Sequence, residues 1–434
     1  MQSDHVTLAF AAALLLSLAV KLWLATRQMR HVAVHRNTVP AAFAGTVTLQ
    51  AHQRAADYTL AKGRLGLFST AFSSLLLLGW TLLGGLDTLN LWLVDHVLPA
   101  WGPMTYQLTL LAAFALIGTL VELPLEAYST FRIEQRFGFN RMTLKLWLAD
   151  LAKGAAVGVL IGLPLAAVIL WIMGASGGLW WLYAWVTWVG FNLLLLVLYP
   201  TVIAPMFNKF EPLPYEALKQ RVQALMQRCG FAAKGLFVMD GSKRSAHANA
   251  YFTGLGAAKR VVFFETLLQR LTPGEVEAVL AHELGHFKHK HVLKRMVAIF
   301  AFSLAGLALL GWLAGQSGFY AGLGVQPNIG APNHALALLL FMMALPPFTF
   351  FISPLAAHFS RRDEFQADAY ANAQADGASL ASALLKLHED NAATLTPDPV
   401  YVRFYYSHPP ASERLAALPA PAASFSTAIA AAPA

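Results

Sequence analysis

The sequence predicts a mainly α membrane protein, with seven transmembrane helices joined to a small cytoplasmic α/β domain. Three observations predict it: an apolar composition, seven apolar stretches of spanning length, and an uneven placement of Lys and Arg. Of 434 residues, 57% are hydrophobic and 12% charged, and the mean hydropathy is +0.52. Soluble domains carry about twice that share of charge, so most of this chain belongs in a bilayer. A hydrocarbon core of ~30 Å takes ~20 apolar residues as helix. Helix is required because no water is present there to satisfy backbone N–H and C=O groups.

The stretches lie near 6–26, 66–90, 105–125, 155–174, 180–204, 296–316 and 335–355. The first opens with Asp4 and no Lys or Arg, and its basic residues Lys21, Arg27 and Arg30 come late, the reverse of a cleaved signal; it reads as a retained span. Segments 1–5, 91–104, 175–179 and 317–334 hold no Lys or Arg. By the positive-inside rule the N-terminus is outside and the C-terminus cytoplasmic. In a bacterium this is an inner-membrane protein, in a eukaryote one of the endoplasmic reticulum. The net charge of +8 then reflects topology, and without a basic soluble face interleaved with aromatics no nucleic-acid partner is expected. Cys229 is the one cysteine, which excludes an intrachain disulfide and a Cys-built zinc site.

The chain divides into an N-terminal membrane region with five spans (1–204), a cytoplasmic unit (205–295), spans six and seven (296–355), a cytoplasmic C-terminal part (356–418) and an Ala/Pro/Ser tail expected to be disordered (419–434). Within 205–295, Leu218, Val222, Leu225 and Met226 mark a helix from Tyr215 to Arg228 that stops at Gly230. Gly235–Met239 and Arg260–Phe264 read as strands, and Asn249–Thr253 as an edge strand ending at Gly254. Thr272-Pro273-Gly274-Glu275 is a helix start with a capping box. The helix it opens has no evident break before the sixth span, and Asp363 to Leu387 reads as another.

On the first of these helices lies His282-Glu283-Leu284-Gly285-His286. Residues four apart share a helical face, so two imidazoles can converge on one Zn2+ while Glu283 lies beside the water that the metal activates, the general base of a zinc peptidase. One zinc per chain is expected, held in the 205–295 unit. A catalytic site needs a third protein ligand and an open position. The extended motif with a third His fails, since 289 is His rather than Gly and 292 is Val rather than His. Just inside the seventh span, Glu364 and Asp368 share a helix face: Glu364 could ligate while Asp368 holds the outer N–H of a ligand imidazole, with Asp363 the nearest rival. His289 and His291 read as solvated residues at the membrane boundary rather than a second metal site.

Together these residues resemble the type I CAAX prenyl proteases. The likeness extends to Glu134-Gln-Arg-Phe-Gly-Phe-Asn140 with Thr143, to Tyr199–Phe210, Ser242–Phe252 and Glu364–Asp368, and to Ser407-His-Pro409. It runs from about residue 50 to 415. It implies a seven-span fold with a gluzincin-like α/β zinc metalloprotease domain, and Glu364 as third ligand. It also implies Asn249 and His408 as catalytic supports of the tetrahedral intermediate, where a donor placed on developing oxyanion charge contributes about 3–4 kcal/mol. A water-filled chamber within the helices would give Glu122 and Glu126 a polar surface to face. The expected partners are the lipid bilayer and a peptide or lipidated protein substrate added as a strand to the 249–253 edge, cut by a monomer. Rival readings are a heat-shock-type membrane quality-control metalloprotease, with fewer spans, and a transporter or inactive scaffold, against which no Gly/Pro-broken pair of spans stands out as an inverted repeat.

Overall fold

The computed structural model describes residues 1–231, 235–247, 249–253 and 260–418; the tail 419–434, Ala248 and the strand-ending Gly254 lie outside them. Helices α1 (Ser3–Val34), α2 (Leu49–Trp80), α3 (Gly85–His96), α4 (Leu98–Tyr128), α5 (Leu144–Val157), α6 (Leu163–Ala175), α7 (Trp180–Leu198) and α8 (Ala204–Phe207) make up the N-terminal region. The second expected span is a broken one: α2 and α3 meet at 44°. Gly84, at φ 78°, turns the chain, and at Gly85 an added Cβ would stand 2.6 Å from the Gly79 carbonyl oxygen, so only glycine permits so sharp a bend. The other stretches each run within a single apolar helical segment, and the α5–α6 and α7–α8 segments pass through short π turns without ending.

After β1 (Phe210–Pro212) come α9 (Glu216–Arg228), β2 (Leu236–Met239), β3 (Ala250–Thr253), β4 (Arg260–Phe264), α10 (Glu265–Arg270) and α11 (Pro273–Lys288). The sheet order is β1-β2-β4-β3, with β2 and β4 parallel and the outer pairs antiparallel. The strand expected at 249–253 does lie at the edge. Phe264 N donates to Asn249 O, and in an antiparallel ladder such pairs alternate, so Tyr251, opposite Val262, turns its N–H inward and Ala250 turns outward. The apolar residues of α9 join Val261, Phe263, Val276, Leu280 and Leu284 in the core of this unit.

Helix α11 does not run on into the sixth span. It ends at Lys288, Lys290 adopts φ 57°, and α12 (His291–Leu313) starts afresh. Beyond α13 (Ser317–Gly322), α14 (His334–Thr349) leads through one 3-10 turn into α15 (Ser353–Gln374). The region read as one helix from Asp363 to Leu387 is two, because Asp376 caps α16 (Gly377–Asp390) by accepting from Ala378 N and Ser379 N. Short helices α17 (Pro399–Tyr405) and α18 (Ala411–Ala416) follow.

Contacts from neighbour to neighbour close the spans into a ring: α1 on α2, α3 on α4, α4 on α6, α6 on α7, α7 on α12, α12 on α14, and α14 back on α1. At the end away from the sheet the ring is sealed by Phe10, Leu86, Tyr106, Leu110, Leu170, Phe319 and Leu336. Glu122 and Glu126 are exposed, and Glu126 accepts from Trp147 Nε1 at 3.2 Å.

Candidate metal centre

Helix α11 begins where its sequence says it should. Thr272 accepts from Glu275 N, and the Glu275 carboxylate accepts from Thr272 N at 2.7 Å, closing the capping box. Glu275 is buried, and Ser382 and Lys386 of α16 both donate to it, the lysine at 2.8 Å. The cap thus anchors α11 to a neighbouring helix as well as starting it. One residue before the motif's end, Gly285 lets α15 come close: a Cβ there would stand 2.9 Å from Ala367 Cα and 3.0 Å from Ala367 O. The glycine inside H-E-x-x-H is therefore the contact that brings α15, and with it Glu364, against the two histidines.

The three candidate ligands converge. His282 Nε2 and His286 Nε2 lie 3.2 Å apart, His282 Nε2 is 3.5 Å from Glu364 Oε2, and His286 Nε2 is 3.3 Å from Glu364 Oε1. Ligands at 2.0–2.1 Å around a tetrahedral ion stand about 3.3 Å apart. Glu364 Oε2 is buried without a hydrogen-bond partner, with Arg414 Nη1 3.6 Å away; a buried lone pair left unbonded costs free energy, which a metal ion between the three ligands would offset. The donor set of two imidazoles and a carboxylate fits a metal. Glu364 is mid-helix in α15, so a favourable position at a helix start does not account for it. Its rival Asp363 turns to His291 instead, at 3.5 Å.

Around this set the polar groups are layered. Asp368 Oδ1 accepts from His282 Nδ1 at 2.8 Å, and Arg414 clamps the same carboxylate through Nε at 2.8 Å and Nη2 at 2.6 Å. On the other ring, Gln366 Oε1 accepts from His291 Nε2 at 3.0 Å, which leaves His291 Nδ1 to accept from His286 Nδ1, also at 3.0 Å. His291 is 1% exposed. Its reading as a solvated boundary residue was wrong, because the turn at Lys290 folds it back under His286. Arg414, Gln366 and the role of His291 were missed: the partners lie 75 or more residues from the motif helix, and no spacing rule reaches that far.

Electrostatics favour positive charge here. Burial alone would lower His282, but the facing Asp368 and Glu364 carboxylates override it and raise the ring to about 9. Burial opposes ionisation of Glu364 too, yet His282 and His286 hold its carboxyl well below the usual carboxylate range. Burial dominates at Glu283 and raises its carboxyl, with the two imidazoles pulling the other way. His408 is exposed, with Nε2 3.3 Å from Glu364 Oε1, at the mouth of the site. Asn249 is exposed at the start of β3 and its Oδ1 accepts from Ala250 N.

The segment leading to Asn249 is clamped to the membrane helices. Arg244 pairs with Asp150 of α5 at 2.7 Å and reaches Asn208 at 2.8 Å, Asn140 bridges Ser245, and Tyr58 donates to Glu134, which faces His247 at 3.7 Å. The Glu134–Asn140 motif is thus the seam between bundle and α/β unit.

Two family models match the chain: the CAAX prenyl protease N-terminal region, described by five membrane helices, over residues 28–209, and peptidase family M48 over 212–422. A CAAX prenyl protease 1 homolog of Oryza sativa subsp. japonica is 33% identical over 90% of this chain and 92% of its own length. The chain belongs to the CAAX prenyl protease family. CAAX prenyl protease 1 of Saccharomyces cerevisiae is also 33% identical, over 83% of this chain and 84% of its own. The crystal structure of S. mikatae Ste24p superposes with a TM-score of 0.89 at 31% identity, covering 95% of this chain and 99% of that one. As a CAAX prenyl protease family member the chain is an integral membrane metallopeptidase, and the fold of seven apolar segments, one of them bent, is the family's.

Proposed function

We propose that the chain is a zinc endopeptidase that binds one Zn2+ through His282, His286 and Glu364 and cleaves CAAX-type prenylated C-termini or other membrane-associated peptides at the cytoplasmic face. The observation that carries this reading is the convergence of two Nε2 atoms 3.2 Å apart on a buried carboxylate, one oxygen of which has no hydrogen-bond partner. Zinc held there supplies Lewis acidity toward a water and the scissile carbonyl. Everything else is done by side chains. Glu283, its carboxyl raised by burial, takes the proton of the attacking water and returns it to the leaving amine. Asp368, clamped by Arg414, fixes the ring of His282; His291, held by Gln366, fixes that of His286. His408 at the mouth and Asn249 beside the open edge are the groups assigned to the tetrahedral intermediate. The outward-facing carbonyl of Ala250, whose N–H is taken by Asn249 Oδ1, is the edge to which an extended substrate would add.

In this reading 1–204 and 296–355 are the membrane region, 205–295 the metalloprotease domain, and 356–418 the part that completes the site; the N-terminus is outside, the C-terminus cytoplasmic, and a monomer suffices. The test is a pair of measurements on purified full chain. Metal analysis should find about one zinc per chain, and Glu283→Gln should retain it while peptide cleavage falls by about 10²–10⁴-fold. A farnesylated CAAX peptide should be cut faster than its unprenylated twin. Full activity without metal would sink the mechanism, and equal rates on the two peptides would remove the prenyl preference.

A further inference from the structure

Between α7 and α12 the bundle opens a groove of about 820 Å³. On one side of it the helices are locked together: Trp181 packs over Gly311, where an added Cβ would lie 2.7 Å from the indole, and Trp185 Nε1 donates to Phe300 O at 2.9 Å. From Phe300 toward α11 they part. Asn192 and Leu196 form one wall, Met296 and Ile299 the other. The end nearest α11 carries Lys288, Lys290 and Arg295, and among the described residues no Asp or Glu lines the groove. All three cations are exposed, and Arg295 has a neutral partner, Ser360 Oγ at 3.3 Å.

Lys288, Lys290 and Arg295 immediately precede the sixth apolar stretch, which begins near 296, while Met296, Ile299 and Phe300 lie within it. A cationic rim at the start of a spanning helix, above an apolar throat between two such helices, has the shape and charge of a lipid site. We propose that this groove binds one anionic glycerophospholipid of the surrounding bilayer, with its phosphate against Lys288, Lys290 and Arg295 and one acyl chain between α7 and α12. Charge selects the anionic headgroup, because clustered Lys and Arg at a membrane surface attract anionic lipid. His286 lines the inner end of the groove, so the lipid would abut the metal centre. The site itself does not depend on which metal is held there.

Native mass spectrometry of the full chain, released from micelles containing phosphatidylglycerol or phosphatidylcholine, tests it. One phosphatidylglycerol should be retained per chain, about tenfold or more in preference to phosphatidylcholine. The triple variant Lys288→Gln, Lys290→Gln, Arg295→Gln should lose that preference, whereas Lys294→Gln, equally exposed but off the groove, should keep it. Ile299→Trp leaves every charge in place and fills the throat, and should lower retention about tenfold; a monodisperse elution profile confirms that each variant is folded. Equal retention of the two lipids, or an unchanged preference in the triple variant, overturns the proposal. So does Ile299→Trp excluding a farnesylated peptide while leaving phosphatidylglycerol bound.

Discussion

His291 does its work through an atom that never reaches the metal site. With Gln366 taking the proton on Nε2, its Nδ1 is the acceptor that keeps His286 turned with Nε2 inward. Replacing it by Phe keeps the bulk and removes the acceptor. We expect His291→Phe to weaken zinc binding by about 10–100-fold, read as earlier loss of metal to a competing chelator, with a monodisperse and stably folded protein. Unchanged chelator competition would show that His286 needs no such support. Arg414 has the corresponding place behind His282, and its burial with Asp368 and Glu364 lets two carboxylates sit close together.

At the scale of elements, the site depends on how closely α11 and α15 approach. Gly285→Ala would put a methyl against the Ala367 backbone, which cannot move aside as a side chain can. Overpacking of this kind costs about 1–3 kcal/mol; the apparent Tm should fall, and zinc content with it, because Glu364 moves away with its helix. The N-terminus of α11 has its own pH signature. Burial works against the Glu275 carboxylate, but Lys386, Ser382 and the Thr272 N–H outweigh it and hold its carboxyl below the ordinary value. Its contribution is therefore fully present above the unfolded value of about 4.3 and is lost as pH falls through the lower folded one. Apparent Tm measured as pH is lowered below about 4.3 should drop more steeply in wild type than in Glu275→Gln, and the two should run parallel above it. Thr272→Ala should cost about 1 kcal/mol at neutral pH.

For the whole molecule, the ring of spans and the α/β unit work together only if the seam between them holds. Arg244 is its centre, tied to Asp150 of α5 and to Asn208, five residues before Asn249. Arg244→Gln should leave the zinc content unchanged and lower kcat/KM by about 10–100-fold, since small displacements of a positioning segment are costly. Loss of metal in that variant would instead place the seam's effect on α11.

The spans, the capping box, the H-E-x-x-H face and the pairing of Glu364 with Asp368 were legible because each is written in a local period: twenty apolar residues, a four-residue cap, a turn of helix. By the same logic the sequence misread α2–α3, the junction at Lys290 and the break before α16, where one residue's backbone angle or one side-chain cap decides. What the sequence determined by itself was the set of groups, two imidazoles on one helix face with a carboxylate beside them in a membrane protein. What only the tertiary structure decided was the company they keep: Gly285 against Ala367, His291 folded under His286, and Arg414 behind Asp368. Those contacts join residues far apart in the chain through packing, and packing has no period to read.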